Sequence, residues 1–290
     1  MEYCEIELTV PAEALEAVTD LLHRSGTGGV VIDDEHAARL RAYLPRDGRL
    51  EGRLGVLRQQ LTDLVAFFPG MRQMTERRRF VADEEWADAW RAHFHPSRVG
   101  TRLVVVPTWE NFQPAAGDIV LRLDPGMAFG TGTHASTALC LQALETQDLA
   151  AAHVLDVGTG SGILAVAAAL FGAADVTAVD IDPLAVRIAR QNAEQNGVAD
   201  RVHARYCELR DALGSGLRPA RLVLANLTAD VLVEIAPDLA AATEPGGLVV
   251  ASGILAPGRL RVEPAFAAVG LETVRATARE DWVALWARRP

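Results

Sequence analysis

A glycine-rich turn between two apolar strands constrains the fold of this chain more than any other feature. Positions 154–182 read VLDVGTGSGILAVAAALFGAADVTAVDID. Glycine tolerates positive φ angles, so the backbone can turn tightly here and a ligand can approach the main chain. The second strand ends at Asp180, whose carboxylate can accept hydrogen bonds from the two hydroxyls of a ribose. The order of strand, glycine turn, helix, strand and acid predicts a nucleotide-binding unit of an α/β fold.

The spacing of the glycines indicates which nucleotide this unit binds. Gly158, Gly160 and Gly162 follow one another as G-x-G-x-G. The dinucleotide fingerprint, G-x-G-x-x-G, needs its third glycine at the position of Ile163. Asp156 precedes the turn and would repel a pyrophosphate, whereas it suits a cationic amino-acid group. The segment D-V-G-T-G-S-G therefore resembles the first motif of the class I S-adenosylmethionine-dependent methyltransferases.

Composition limits the classes of protein to which the chain can belong. With 290 residues, 50% of them hydrophobic, it is long enough for two domains with sizeable cores. The net charge of −10 argues against a general nucleic-acid binder and would suit a basic partner. We expect neither a secretory signal nor a membrane span of about 18 apolar residues. Cys4, Cys140 and Cys207 are scattered and fit reduced thiols in a cytoplasmic protein.

The order of predicted elements divides the chain into three parts. Residues 1–82 show a β-α-β-β-α-β order, which is typical of a small ferredoxin-like domain. Residues 83–97 are predicted to form a connector helix with three aromatic side chains on one face. In residues 98–290, strands and helices alternate as in folds with a parallel sheet.

Within the third part we predict one long helix over 231–243 and a closing antiparallel pair of strands. The expected strands are 102–107, 119–123, 154–157, 176–179, 222–225, 248–252, 271–278 and 282–288.

A second segment should meet the glycine turn at the carboxyl ends of the parallel strands. Positions 123–137 read LDPGMAFGTGTHAST, and a loop of this length in a compact domain is usually functional. His134 could act there as a proton acceptor or as a lid contact. Thr137 falls in the first turn of the next helix, where it can cap the helix or contact a ligand. The alternative is a plain cap beside a surface loop.

Asn226 is the third candidate, because an apolar strand brings it to the same edge of the sheet. Methyl transfer to an amine needs the neutral amine, although a free lysine amine, with its pKa near 10.4, is mostly protonated at neutral pH. An amide or backbone carbonyl oxygen can orient the neutral amine through its N–H groups, and a dry site lowers the pKa of the amine. Proximity and orientation can then carry most of the catalysis. The alternative is that Asn226 is only a turn residue at the end of a strand.

Two other features predict no chemistry. His93 and His95 flank Phe94, but no cysteine or acid completes a metal-binding pattern beside them, so no metal is expected. Ser161 lacks the G-x-S-x-G surroundings of a nucleophile elbow.

Longer segments resemble one family, the ribosomal protein L11 methyltransferases (PrmA). These segments are EEWADAWRAHFHP from Glu84, LDPGMAFGTGTH from Leu123, DVGTGSGILAVAA from Asp156, AVDIDPLAV from Ala178, ANL from Ala225 and SGIL from Ser252. They span most of the catalytic half in the right order. The N-terminal half resembles the family in the order of its predicted elements more than in residue identity. Asn226 is followed by Leu-Thr where Ile-Leu is commoner in the family, which could alter the amine pocket.

The resemblance implies a Rossmann-like seven-stranded class I methyltransferase sheet, preceded by a small ferredoxin-like α+β domain. It implies S-adenosylmethionine as the methyl donor and S-adenosylhomocysteine as the product. The substrate would be ribosomal protein L11, free before ribosome assembly, trimethylated at lysine side chains and at its N-terminal α-amine. The N-terminal domain would hold this substrate while a flexible connector moves it between target amines.

The resemblance also implies which residues hold the donor. It places donor contacts on Thr137, Gly158, Asp180 and Asn226. With the motif residues added, the predicted donor site comprises Thr137, Asp156, Gly158, Gly160, Gly162, Asp180, Ile181, Asn226, Phe129 and Thr133, and the predicted catalytic residues are Asn226 and His134.

Three alternatives stay open at this point. The catalytic domain could methylate another protein or a small molecule. An NAD-dependent oxidoreductase is opposed by the missing third glycine of the turn. An inactive donor-binding module is opposed by the intact Asp156, Asp180 and Asn226.

Overall fold

Two compact units make up the described part of the chain. The computed structural model describes residues 2–25, 27, 30–34, 38–82, 95–124 and 134–290. One unit comprises the described residues up to His95, and the other begins at Pro96. The predicted connector helix lies outside the described residues except for positions 95–97. The domain boundaries expected from the sequence stay a prediction.

The N-terminal unit has the β-α-β-β-α-β order expected of a ferredoxin-like domain. Its described strands are β1 (Glu2–Thr9), β2 (Val30–Asp34), β3 (Arg39–Pro45) and β4 (Thr75–Ala82), and its α-helices are α1 (Leu15–Arg24) and α2 (Leu50–Asp63). The strands form an antiparallel sheet in the order β2-β3-β1-β4. Short 3-10 turns precede α1 at Ala12–Ala14 and follow α2 at Leu64–Ala66 and Pro69–Gln73.

Alternation along β1 explains why one face of this sheet packs on the helices. Cys4, Ile6 and Leu8 are buried in one core with side chains of α1 and α2. Successive side chains of a strand point to opposite faces, so Glu5 points away from that core. On its own face Glu5 pairs with Arg79 through two hydrogen bonds of 2.6 and 3.0 Å.

A small sheet of three strands opens the C-terminal unit. These strands are β5 (Ser97–Val99), β6 (Leu103–Val106) and β7 (Ile119–Arg122), with β5 antiparallel and β7 parallel to β6. The strands expected at 102–107 and 119–123 are therefore present, but they do not join the main sheet. The sequence prediction missed β5, because three residues are too few to show a period.

The main sheet of the C-terminal unit has seven strands. They are β8 (His153–Val157), β9 (Asp175–Asp180), β10 (Val202–Tyr206), β11 (Ala220–Asn226), β12 (Thr243–Leu255), β13 (Glu272–Arg279) and β14 (Trp282–Arg288). Their order is β10-β9-β8-β11-β12-β14-β13. The strands from β10 to β12 are parallel, and β14 and β13 close the sheet as an antiparallel pair. This is the predicted seven-stranded sheet with a terminal hairpin.

Helices connect these strands. They are α3 (Ala135–Glu145), α4 (Ile163–Leu170), α5 (Pro183–Gln195), α6 (Leu209–Gly214), α7 (Ala229–Glu234), α8 (Ala236–Ala242) and α9 (Arg259–Ala268), with a 3-10 turn at Ala256–Gly258. The single helix predicted over 231–243 was wrong, because the chain leaves the helical conformation at Ile235. Pro237 follows there, and a proline lacks the N–H that a continuing helix needs. The prediction also missed β10 and α6.

Apolar side chains cover both faces of the main sheet. Along β8, Val154 belongs to the core on one face and Leu155 to the core on the other. A parallel strand that is buried on both faces reads as a continuous apolar run, so the sequence predicts β8 and β11 clearly. Among the described residues, no helix is long and apolar enough to cross a lipid bilayer.

Candidate functional site

Strand register brings the predicted residues to one edge of the main sheet. The pairing of β8 with β9 puts Gly158 next to Asp180, just beyond the last pair of the two strands. On the other side, the pairing of β8 with β11 puts Asn226 next to Gly158. Tyr206, the last residue of β10, lies opposite Asp180. The strand order changes direction between β8 and β11, and open α/β sheets bind ligands at such a switch point.

Neighbouring residues leave little room for a side chain at two of the three glycines of the turn. A Cβ atom on Gly158 would lie 2.5 Å from the side chain of Leu227, and one on Gly162 would lie 2.8 Å from Ala189 of α5. All three glycines have positive φ angles, of 71°, 54° and 79° in chain order. The sequence interpretation, in which these glycines give a ligand access to the main chain, is therefore incomplete.

Asp180 organises the glycine turn from the next strand. Its Oδ2 accepts a hydrogen bond of 2.9 Å from the Gly160 amide, and its Oδ1 accepts one of 2.9 Å from the Asp182 amide. Each carboxyl oxygen can accept a further hydrogen bond, so a ribose can still bind here. Ile181, between the two acids, is 71% exposed and presents an apolar surface beside them.

Asp156 lies at the end of β8 and is almost completely buried. Its Oδ2 accepts a hydrogen bond of 2.6 Å from the Thr159 hydroxyl, whereas its Oδ1 is buried without a hydrogen-bond partner among the described residues. Burial raises the pKa of Asp156 to about 7, and the charge of Asp180 adds to this rise. The hydrogen bond from the Thr159 hydroxyl opposes it. An unpartnered buried carboxyl oxygen favours a cationic group of a ligand beside it.

Cys140 of α3 is fully buried and lies near Asp156. Burial raises the pKa of its thiol to about 12, and the charge of Asp156 acts in the same direction, while a hydrogen bond with Ser252 opposes them. A thiol reacts as a nucleophile through its thiolate. A raised pKa favours the protonated thiol of Cys140, which is a weak nucleophile.

Asn226 and Thr137 contact each other across the site. The Asn226 Nδ2 donates a hydrogen bond of 3.1 Å to Thr137 Oγ1, although the two residues are 89 positions apart. Thr137, in the first turn of α3, is completely buried. The other end of the amide, Asn226 Oδ1, is buried without a partner among the described residues. It is an acceptor at the place where the sequence predicts the amine.

His134 has structural contacts that account for its position. It precedes α3 as the N-cap, where its Nδ1 accepts a hydrogen bond from the Ser136 amide at 3.3 Å. Its ring packs edge-on against the ring of Trp282, with 4.7 Å between centroids. Burial lowers the pKa of His134, against the opposite effect of Glu280, so the ring is neutral as an accepting cap requires. The proton-acceptor role expected of His134 stays a prediction.

Sequence reasoning missed two asparagines that fix the loops of the site. The Asn196 side chain accepts from the Arg122 amide and donates to the Arg122 carbonyl, both at 2.7 Å, and so holds the last residue of β7. The Asn192 side chain donates at 2.7 Å to the carbonyl of Ser161 in the glycine turn. The available signal was their spacing of one helical turn, with Asn192 in α5 and Asn196 as the C-cap residue just after it, since residues four apart share a helix face.

Two predicted residues, Phe129 and Thr133, lie outside the described residues. Within the part of the chain that the structure describes, no group of three or more His, Cys, Asp or Glu side chains could hold a metal ion.

The arrangement suits a ligand that carries both a ribose and a cation. Asp180 offers acceptors for hydroxyl groups, while Asp156 Oδ1 and Asn226 Oδ1 are buried acceptors without partners among the described residues. A buried polar atom without a partner is costly, so these oxygens are positions at which the donor groups of a ligand can bind. An ammonium group and an acceptor amine are donors of this kind.

Comparison with known proteins then decides the family. The family model described as "Ribosomal protein L11 methyltransferase (PrmA)" matches residues 2–290. The chain belongs to this family. The resemblance read from the sequence, the class of enzyme and the expected type of fold are confirmed.

Relatives of this methyltransferase align with it over almost its whole length. Two proteins named ribosomal protein L11 methyltransferase, from Pelotomaculum thermopropionicum and Symbiobacterium thermophilum, are 43% identical over 312 residues and 41% identical over 310 residues. The matches cover 99% of both chains in the first case and 100% of both in the second. The crystal structure of the ribosomal protein L11 methylase from Lactobacillus delbrueckii subsp. bulgaricus superposes with a TM-score of 0.63 at 32% identity. It covers 68% of this chain and 99% of that one.

A glycine of β12 supports the acceptor side of the site and yields a prediction for stability. Gly253 has a φ of 79°, and a Cβ there would lie 2.5 Å from the Leu227 carbonyl oxygen. We expect Gly253→Ala to lower the free energy of unfolding by about 3 kcal/mol, measured by urea denaturation, because positive φ and backbone overlap both penalise alanine.

Gly246 is the matched control for this change. It has the same φ of 79°, but a Cβ there would meet nothing within 4 Å. We expect Gly246→Ala to lower the free energy of unfolding by only about 1 kcal/mol, the contribution of positive φ alone. Equal losses in the two variants would show that the contact with Leu227 has no energetic weight.

The raised pKa of Asp156 predicts how stability depends on pH. Between the ordinary pKa of an aspartate and about 7, the folded chain holds a proton on Asp156 that the unfolded chain has lost, so this group makes stability fall as pH rises. Asp156→Asn cannot titrate. We therefore expect the variant to gain stability relative to the wild type by up to about 1.4 kcal/mol per pH unit between about pH 5 and pH 6.5, with no further gain above about pH 8.

Comparing the two proteins at each pH cancels the contributions of the other carboxyls. Chemical denaturation without ligand provides the measurement. A difference that is independent of pH would mean that Asp156 is ionised throughout.

Proposed function

We propose that this methyltransferase transfers methyl groups from S-adenosylmethionine to amino groups of ribosomal protein L11. The observation that carries the proposal is the arrangement of Asp180, Gly158 and Asn226 side by side at the carboxyl edge of the main sheet. The relatives that match this chain over its whole length are named for the same activity.

The donor site consists of acceptors for the two polar ends of S-adenosylmethionine. Asp180 holds the ribose hydroxyls, and Asp156 favours the ammonium group of the methionine part. Ile181 and Tyr206, which are both exposed beside Asp180, offer apolar and aromatic surface for the adenine ring. When bound, S-adenosylmethionine supplies a methyl group that its sulfonium already activates.

Asn226 orients the acceptor amine. Its Oδ1 accepts a hydrogen bond from an N–H group of the neutral amine, and this fixes the direction of the nitrogen lone pair toward the methyl group. Burial of this site disfavours the ammonium form, which lowers the pKa of the entering amine. The proton that the amine gives up passes to solvent, and no strong base of the chain is needed.

The finer features of the reaction follow from the family resemblance. We propose that the targets are lysine side chains and the N-terminal α-amine, and that each is methylated three times. Residues 1–82 hold ribosomal protein L11 in its free form in the cytoplasm, before ribosome assembly and without direct contact with nucleic acid. The net charge of −10 is consistent with a basic protein partner.

A second candidate is an amine on another protein or on a small molecule. Leu227 and Thr228 follow Asn226, where Ile and Leu are commoner in the family, and this difference borders the acceptor. The donor site would be the same in both cases.

Methylation of purified ribosomal protein L11 tests the proposal directly. Intact-mass spectrometry after incubation with enzyme and S-adenosylmethionine should show an increase in multiples of one methyl group. Ribosomal protein L11 whose amines have been chemically blocked is the control and should stay unchanged. An unmodified substrate together with normal binding of S-adenosylhomocysteine would favour the second candidate. Absence of S-adenosylhomocysteine binding would refute the donor assignment.

A further inference from the structure

We infer that Thr137 is a positioning residue, whose hydroxyl binds the Asn226 amide and holds it in place beside the acceptor amine. This inference rests on the proposed function of Asn226 as the group that orients the amine. The family resemblance assigns Thr137 a contact with the methyl donor. Its hydrogen bond with Asn226 indicates a second role.

The two side chains meet because different elements hold each of them. Thr137 lies in the first turn of α3, which packs against β11 and β12, and its side chain is completely buried. Asn226 ends β11 after a run of buried residues. Their hydrogen bond of 3.1 Å joins Nδ2 of the amide to Oγ1 of the hydroxyl. Neither side chain can move far without disturbing the helix or the strand.

The direction of this bond decides the chemistry of the amide. An asparagine presents an acceptor oxygen at one end and two N–H donors at the other. The hydrogen bond to Thr137 involves the nitrogen end of the amide. The oxygen end, Oδ1, is buried without a partner among the described residues and can accept a hydrogen bond. An oxygen in this place accepts an N–H of the neutral amine. A rotated amide would direct its own N–H groups at the amine nitrogen and occupy the lone pair that attacks the methyl group.

Substitutions at Thr137 separate the hydroxyl oxygen from the rest of the side chain. Valine keeps the size and the β-branch of threonine but cannot accept a hydrogen bond. Serine keeps the acceptor oxygen and loses only the methyl group. If Thr137 acts through Asn226, valine lowers kcat even when the donor is saturating, and serine recovers it.

The kinetic test is a double-variant cycle on the full chain with ribosomal protein L11 as substrate. We expect Thr137→Val to lower kcat, measured at saturating S-adenosylmethionine, by about tenfold, which is a larger factor than its effect on the dissociation constant for S-adenosylhomocysteine measured by calorimetry. Thr137→Ser should recover most of the lost kcat. The variant with both Thr137→Val and Asn226→Ala should be no slower than Asn226→Ala alone, because the hydroxyl has no amide left to orient.

Thr243→Val is the matched control for a buried threonine of the same unit. Its hydroxyl donates a hydrogen bond of 2.8 Å to the Leu239 carbonyl at the amino end of β12. We expect this change to leave kcat unaffected. Additive losses in the double variant would overturn the inference. So would a loss of S-adenosylhomocysteine affinity as large as the loss of kcat.

A second measurement does not depend on activity. In ¹⁵N spectra, the side-chain amide signals of Asn226 are identified by their absence in Asn226→Ala. We expect their hydrogen exchange to be slow in the wild type and in Thr137→Ser, and at least about tenfold faster in Thr137→Val. Equal exchange in all three proteins would refute the inference. If ribosomal protein L11 proves not to be the substrate, this measurement still decides the role of Thr137.

Discussion

Removal of residues 1–82 is expected to abolish methylation of ribosomal protein L11 while binding of S-adenosylhomocysteine persists. The described residues that we assign to the donor belong to the C-terminal unit, which has its own cores on both faces of the main sheet. The N-terminal unit has a separate core between one sheet face and its two helices. Without residues 1–82 the catalytic unit has lost only the part that we propose to hold the protein substrate.

The separate N-terminal unit provides the control for this deletion. Added in excess, residues 1–82 should inhibit the full chain by competing for ribosomal protein L11, with no effect on S-adenosylhomocysteine binding. Initial rates measured by mass spectrometry and dissociation constants measured by calorimetry would establish both effects. Full activity of the shortened chain would refute the proposed division of labour between the two units.

Asp180→Ala is expected to raise the dissociation constant for S-adenosylhomocysteine by at least about 150-fold. A carboxylate that accepts hydrogen bonds from two hydroxyls contributes roughly 1.5–3 kcal/mol for each bond. The variant also loses the two bonds to the Gly160 and Asp182 amides, so the glycine turn is held less firmly. An alanine here therefore changes the turn as well as the ribose contact, which the sequence alone does not reveal.

Asp182→Ala is the matched control, because it removes the neighbouring carboxylate but no assigned donor contact. Asp182 caps α5 by accepting a hydrogen bond of 2.8 Å from the Leu184 amide. We expect its replacement to cost about 1 kcal/mol of stability and to change the affinity by less than about threefold. Similar affinity losses in the two variants would show that charge at this edge, and not the position of Asp180, controls binding.

The main sheet could be predicted from sequence because its inner strands are continuous apolar runs that end in marked residues. Asp180 and Asn226 each follow such a run, and parallel strands bring their carboxyl ends together. The edge strand β10 alternates between buried and exposed residues over only five positions, so its signal was weak. The break at Ile235 depends on one proline within an otherwise apolar helix pattern.

The contacts that hold the site residues in place could not be predicted from the sequence in the same way. The bond between Asn226 and Thr137 joins residues 89 positions apart, and it depends on how α3 packs on the sheet. Gly158 appeared to serve a ligand, but its hydrogen atom makes room for Leu227. Both contacts depend on the folded structure. The residue types involved are also common in turns and caps, so the sequence gives no sign of these contacts.

The contact between Leu227 and Gly253 limits how the acceptor specificity of this enzyme can be redesigned. At Gly253 any side chain meets the Leu227 backbone, and at Gly158 any side chain meets the Leu227 side chain. Substitutions at these two positions would therefore lower the free energy of unfolding. Thr228, two residues after Asn226, is exposed and precedes α7, so its side chain can be varied without altering the packing beneath it.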